Sequence, residues 1–187
     1  MNIEIRHLSK SFGEKDLFRD FSYCFPEGRP TCILGESGCG KTTLLRMLLG
    51  LNRPDSGEIS GVPGHISALF QEDRLCDDFT ALTNIRMACP GTSAEEIRKD
   101  LASIGFQAGS RPIRTLSGGE KRRVAIVRSA LFGGELFVLD EAFRGLDPQT
   151  RDLAFAYMQK KTRGKTVIAV THDPEEASAW GGGILNL

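Results

Sequence analysis

The stretch Gly35-Glu36-Ser37-Gly38-Cys39-Gly40-Lys41-Thr42 has the spacing of a loop that wraps an anion, G-x-x-x-x-G-K-[ST]. Its glycines let successive main-chain N–H groups converge on phosphate oxygens, and the helix that follows adds its positive end. Lys41 then reaches the β- and γ-phosphates of a nucleotide, and the Thr42 hydroxyl ligates Mg²⁺. Cys39 reads as a small loop residue without a redox role, because thiol reactivity requires exposure. Farther along, an apolar run ends in Asp140-Glu141. Asp140 beside the cradle holds Mg²⁺ directly or through water, and Glu141 orients or deprotonates the attacking water. Without the phosphate loop, the same pair reads as a solvated turn. Gln71 and His172 each follow an apolar run. Gln71 is either polar punctuation or a neutral metal or water ligand. His172 is either structural or a hydrogen-bonding partner of the γ-phosphate, a role neutral imidazole performs without titrating.

These residues need a frame that brings them to one edge. Ile3 and Ile5 alternate with polar residues, as do Phe21, Tyr23 and Phe25, which predicts half-buried strands near the N-terminus. An apolar run at 31–34 leads into the glycine-rich loop, and a helix follows to near Leu51. Residues 67–70 predict another strand with Gln71 at its exit. Between about 75 and 114 the texture becomes helical, at 81–87 and 94–104, with Gly, Pro and Ser between. That predicts a small helical subdomain (about 74–114) inserted into a core of 1–73 and 115–187. Val124, Val127 and Leu131 recur at helical spacing among Arg122, Arg123 and Arg128.

Two strand-then-polar units close the chain. Runs at 136–139 and 166–170 end in Asp140-Glu141 and Thr171-His172, and Asp147-Pro148 and Asp173-Pro174 each start a helix with a cap and a proline. Residues 184–187 predict a last strand. The fold class is therefore α/β with a mainly parallel sheet, a P-loop NTPase core carrying an N-terminal antiparallel β portion and an inserted helical subdomain. Such sheets bind ligands at the carboxyl ends of their strands, where the loop, Gln71, Asp140, Glu141 and His172 all fall.

The bulk properties narrow the function class. The 187 residues are 40% hydrophobic and 26% charged, as in a globular domain that buries a core. Lys+Arg and Asp+Glu balance at 24 each, leaving no general field for nucleic acid or an anionic membrane. No apolar run approaches the roughly 20 residues of a membrane span, and the N-terminus lacks a secretory core. Five cysteines without CxxC spacing predict reduced thiols in the cytosol. Work at a membrane then requires recruitment by a partner.

With these pieces in order, the chain resembles the ATP-binding cassette (ABC) family over nearly its whole length. The motifs are GESGCGKTT (Walker A, through Thr43), FQED with Gln71 (Q-loop), LSGGE from Leu116 (signature), LFVLDE from Leu136 (Walker B and catalytic Glu141), GLD with Asp147 (D-loop) and THD with His172 (switch histidine). The resemblance implies ATP and Mg²⁺ as ligands. Gly35, Ser37, Gly38, Cys39, Gly40, Lys41, Thr42, Thr43 and Gln71 bind the nucleotide, and Thr42, Gln71 and Asp140 serve the metal. Glu141, His172 and Lys41 are catalytic. It further implies that two cassettes stack head to tail, with Ser117, Gly118, Gly119 and Glu120 of one capping the γ-phosphate held by the other, and Asp147 at the same seam. A plain helix cap, Ser117 with Glu120 as a capping box, is compatible with that role. Phe12 stands where the family stacks an aromatic, more often Tyr, on adenine; a core Phe is its other reading.

As partners the resemblance implies a second cassette and separate permease subunits that dock at Gln71 and the 72–90 segment, including Arg74, Phe79 and Leu82. That puts the chain in the cytoplasm, on the inner face of the cell membrane. The FQEDRL wording leans toward bacterial importers of the nitrate, sulfonate and taurine type. Two other readings stand beside this one: a soluble ATPase of the same family acting in nucleic-acid repair or translation, and a nucleotide-gated clamp that binds without hydrolysing.

Overall fold

A computed structural model describes residues 1–13 and 15–187. They form two compact units: Met1–Ile66 with Gly134–Glu141 and Gly164–Leu187, and Ser67–Gly133 with Ala142–Arg163.

The first unit contains an antiparallel sheet in the order β2-β1-β4, from β1 (Ile3–Phe12), β2 (Lys15–Phe25) and β4 (Ser56–Ser60). β1 and β2 are longer than the alternation near the N-terminus suggests. The register slips along the ladder, and His7 and Asp20 take left-handed φ values of 50° and 54°. Each slip moves later side chains to the other face and breaks the period of two.

The parallel sheet runs β6-β7-β3-β8, from β3 (Pro30–Leu34), β6 (Leu136–Asp140), β7 (Thr166–Val170) and β8 (Gly183–Asn186). β6 and β7 are buried at every position, as expected of strands covered on both faces. Their register decides where the chemistry falls. Ile33 and Asp140 are both paired with Val170, so the ends of β3, β6 and β7 lie level. The glycine loop, Asp140-Glu141 and Thr171-His172 therefore leave the sheet side by side. Beneath them α1 (Lys41–Leu48) buries Leu44, Leu45, Met47 and Leu48 in a core shared with Ile33, Val138 and Ile168. The helix stops short of Leu51: Leu49 is its C-cap and Gly50 turns left-handed at φ 68°. The chain leaves this unit at Ile66, the first residue of β5 (Ile66–Leu69).

The second unit packs α2 (Ala81–Ala88), α3 (Ala94–Ser103) and α5 (Pro148–Lys161) around α4 (Gly118–Phe132). Val124, Ala125, Ile126 and Val127 are all fully buried, so α4 is enclosed on all sides and shows no single apolar stripe. The segment 74–114 lies wholly in this unit and carries α2 and α3. Thr80, Ser93, Ser117 and Asp147 cap their helices with side-chain oxygens. Tyr157 on α5 donates to Asp100 on α3 at 2.8 Å, and Lys161 pairs with the same carboxylate at 2.7 Å. Back in the first unit, Asp173 caps α6 (Pro174–Ala179), again with proline in the first turn. Among the described residues no helix is long and apolar enough to cross a membrane.

Candidate active site

The loop after β3 is shaped by two left-handed glycines, Gly38 at φ 80° and Gly40 at φ 111°. Gly40 is the N-cap of α1 and offers no capping side chain. A Cβ there would sit 2.9 Å from the Phe18 ring, so packing as well as backbone conformation demands glycine. At Gly35 a Cβ would meet the Cys39 sulfur and the Leu187 carbonyl, each at 2.7 Å. The first N–H groups of α1 have no intrahelical acceptor, and no acidic residue stands in that turn. The result is a bare, positive cradle of main-chain donors suited to phosphate oxygens.

Lys41 is folded back over this cradle. Its ammonium donates to the carbonyls of Gly35 and Glu36, both at 2.7 Å, and lies 3.8 Å from the Cys39 sulfur. A phosphate entering the loop meets the cation already in place. Thr42, next on the helix, donates its hydroxyl to Asp140 at 3.1 Å. Asp140 is 4% exposed. A hydroxyl and a buried carboxylate oxygen in contact are hard ligands of the kind Mg²⁺ takes together with phosphate oxygens and water. Among the described residues no cluster of three or more His, Cys, Asp or Glu could hold a metal alone. The Thr42–Asp140 pair fits a metal shared with a bound phosphate chain.

Glu141 has a left-handed backbone at φ 48°, a conformation that costs a non-glycine residue about 1–3 kcal/mol and persists only where neighbours enforce it. Its N–H donates to the Val170 carbonyl at 2.9 Å, one of the contacts that tie it to the end of β7. The carboxylate Oε1 lies 3.8 Å from Nδ1 of the exposed His172. Asp140, Glu141 and His172 thus stand together at the level ends of β6 and β7.

Phe12 is 53% exposed, so it is not a core residue. Lys10 sits over its ring at 5.1 Å. Two neighbours escaped the sequence reading. Lys15, paired with Phe12 across the hairpin, donates to the Gly38 carbonyl at 3.0 Å and ties the hairpin to the loop. Phe18 supplies the ring that Gly40 accommodates. Neither follows a motif; only the β1–β2 register brings them to the loop.

Ser37 and Thr43 lie in the same loop and helix of the first unit, whereas Gln71, Ser117, Gly118, Gly119, Glu120 and Asp147 belong to the second. Ser117 accepts from the Glu120 N–H at 3.2 Å, and Glu120 accepts from the Ser117 N–H at 2.8 Å, a complete capping box. That backbone bond, reinforced by Arg111 at 2.6 Å, holds the Glu120 carboxyl below its ordinary range. Gly118 and Gly119 have no left-handed φ. A Cβ on Gly118 would meet nothing within 4 Å, and one on Gly119 only ordinary contacts at 3.8 Å. The fold of the protomer does not need these glycines. Asp147 caps α5 by accepting from the Thr150 N–H at 3.0 Å, and hydrogen bonds from the Thr150 side chain first, then from its N–H, hold the Asp147 carboxyl below the usual carboxylate range. The Gln71 side chain is exposed, and its carbonyl is held by Arg122 at 3.3 Å.

Comparisons with known proteins agree with this geometry. The ABC transporter family matches residues 18–144. The aliphatic sulfonates import ATP-binding protein SsuB 1 of Paracoccus denitrificans is 37% identical over 185 residues, 94% of this chain and 74% of the relative. The Nod factor export ATP-binding protein I of Ralstonia nicotianae is 34% identical over 194 residues, 94% of this chain and 60% of the relative. A solved bacterial ABC transporter cassette, described as dimeric, superposes with a TM-score of 0.86 at 26% identity, covering 99% of this chain and 94% of that one. With its phosphate cradle, its Thr42–Asp140 pair and these likenesses, the chain belongs to the ABC transporter family as an ATP-binding, ATP-hydrolysing cassette.

Proposed function

We propose that two copies of this cassette sandwich ATP and drive solute import through separate permease subunits, on the cytoplasmic face of the cell membrane. The observation that carries this reading is the start of α4, where Gly118 and Gly119 stand without side chains beside the Ser117–Glu120 capping box. Gly118 and Gly119 are dispensable to the protomer, yet their missing Cβ atoms leave helix N–H groups open to an anion from outside. In the pair, Ser117, Gly118 and Gly119 of one copy donate to the γ-phosphate cradled by the other, Glu120 holds Ser117 in its cap, and Asp147 lies at the seam. Nucleotide is then part of the interface, so closure depends on ATP and hydrolysis loosens it.

In the cradle, Gly35, Ser37, Gly38, Cys39, Gly40 and Thr43 line the phosphate path, and Lys41 exchanges its two carbonyl contacts for phosphate oxygens. Thr42 and Asp140 would hold Mg²⁺, with Gln71 as the further metal or water ligand that the family resemblance implies, and the ion would supply positive charge to offset that on the transferring phosphoryl group. Glu141 takes the proton of a water that attacks the γ-phosphorus as the bond to the β-phosphate oxygen breaks, giving ADP and phosphate. His172 hydrogen-bonds the γ-phosphate, and Phe12 stacks on adenine. Gln71 and 72–90, with exposed Phe79 (47%) and Met87 (59%), present the face for a permease.

The sulfonate-import relative supports an anionic organic solute as cargo. The Nod factor relative favours export as the second reading. No relative above supports the repair or translation alternative. The test is ATP turnover in Glu141→Gln. The variant is expected to bind ATP, accumulate as a dimer and lose turnover by about 10²–10⁴-fold. Turnover equal to wild type would remove Glu141 from the mechanism.

A further inference from the structure

Residues 70–76 have neither helix nor strand, yet the carbonyls of Phe70, Gln71, Asp73, Arg74 and Cys76 are all held by side chains. Arg122 on α4 is buried, its side chain 5% exposed. It donates to the carbonyl of Phe70 at 2.7 Å, to that of Gln71 at 3.3 Å and to the Asp73 carboxylate at 3.1 Å. Its Nε donates to the carbonyl of Ala142, the residue after Glu141, at 2.7 Å. Arg128 on the same helix takes the carbonyls of Asp73 and Arg74, both at 2.7 Å. Asn84 on α2 closes the stretch: its side chain accepts from the Cys76 N–H at 2.7 Å and donates to the Cys76 carbonyl at 3.0 Å. Arg74 is left-handed at φ 48°, with its guanidinium on the Phe70 ring at 3.6 Å, a conformation that needs such outside restraint.

A grip on carbonyls fixes the path of the chain and leaves its side chains outward, as Gln71 and Glu72 are. Burying a guanidinium is costly unless its donors are satisfied, and the planar fork of arginine reaches several acceptors where lysine offers a point charge. Arg122 stands one turn past Gly119. The helix that presents Ser117–Gly119 at its tip therefore holds the Gln71 peptide with its flank.

We propose that Arg122 and Arg128 are positioning residues that fasten the Gln71 loop to α4, so that displacement of this loop is passed to the Ser117–Gly119 tip and back. This rests on the reading of Gln71 as a metal ligand for its catalytic consequence, but not for the grip itself.

The experiment compares wild type, Arg122→Lys, Gln71→Ala and the double variant by hydrogen exchange and by Mg²⁺ titration of ATP turnover. In Arg122→Lys, amides across 70–76 should exchange about tenfold faster or more, since bonds to a charged donor are lost, while α3 is unchanged. The Mg²⁺ concentration for half-maximal turnover should rise in both single variants and rise no further in the double variant. Arg128→Lys, from a less enclosed site, should open 73–76 and serves if Arg122→Lys does not fold. Unchanged exchange at 70–76 in both arginine variants, or Mg²⁺ shifts that multiply in the double variant, would overturn the proposal. If Gln71→Ala leaves the Mg²⁺ requirement unmoved, the metal role of Gln71 fails and exchange alone decides the grip.

Discussion

Adding one methyl group at Gly118 separates folding from function. In the protomer the new Cβ would point into open space, and the backbone φ is not left-handed. Gly118 is the first residue of α4, where alanine restricts the unfolded chain at no steric cost, a gain of about 0.4–1 kcal/mol. For a domain of this size that raises Tm by up to roughly 2–4 °C. In the closed pair proposed above, the same methyl would face the γ-phosphate and push it off the helix tip. Losing charge-assisted hydrogen bonds there costs about 1.5–3 kcal/mol, or about 10–150-fold in turnover. The assay is a thermal melt without nucleotide beside steady-state ATP hydrolysis of Gly118→Ala. A melt at or above wild type with hydrolysis reduced at least tenfold is the expected pair of results. Wild-type hydrolysis would refute the phosphate-capping role of this tip. A melt lowered by several degrees would show that glycine serves the protomer's own fold.

Two further outcomes follow from contacts already described. Lys41→Ala should weaken ATP binding itself, measured by fluorescent-nucleotide displacement, and unchanged affinity would contradict the cradle assignment. Glu120 has a depressed pKa because the Ser117 N–H, then Arg111, favour its charged form. Its contribution to stability is therefore complete above the unfolded value of about 4.3 and is lost as pH falls through the lower folded value. Glu120→Gln should accordingly show a smaller drop in Tm between neutral and acid pH than wild type; an identical drop would deny the carboxylate that role.

What the sequence disclosed, and what it hid, follows from the range of the interactions. The phosphate loop, the buried runs of β6 and β7, the Asp147-Pro148 and Asp173-Pro174 helix starts and the Ser117–Glu120 box are written in adjacent residues, and all are present. β4 went unread because SGEIS is exposed at all but Ile59, which leaves no alternation to detect. The slips in β1 and β2 hid their length. Lys15 and Phe18 reach the loop only through the hairpin register. Arg122 and Arg128 looked like polar spacers on a helix; their acceptors lie about 50 positions away, and no local pattern announces a carbonyl as a partner.

The most direct measurement is a structure of Glu141→Gln bound to ATP and Mg²⁺. Two copies related by a two-fold axis, with Ser117 and Gly119 of each within hydrogen-bond distance of the γ-phosphate in the other's Lys41 loop, is the predicted result. A single copy enclosing its own triphosphate, with residues 117–119 distant from every nucleotide, would contradict it.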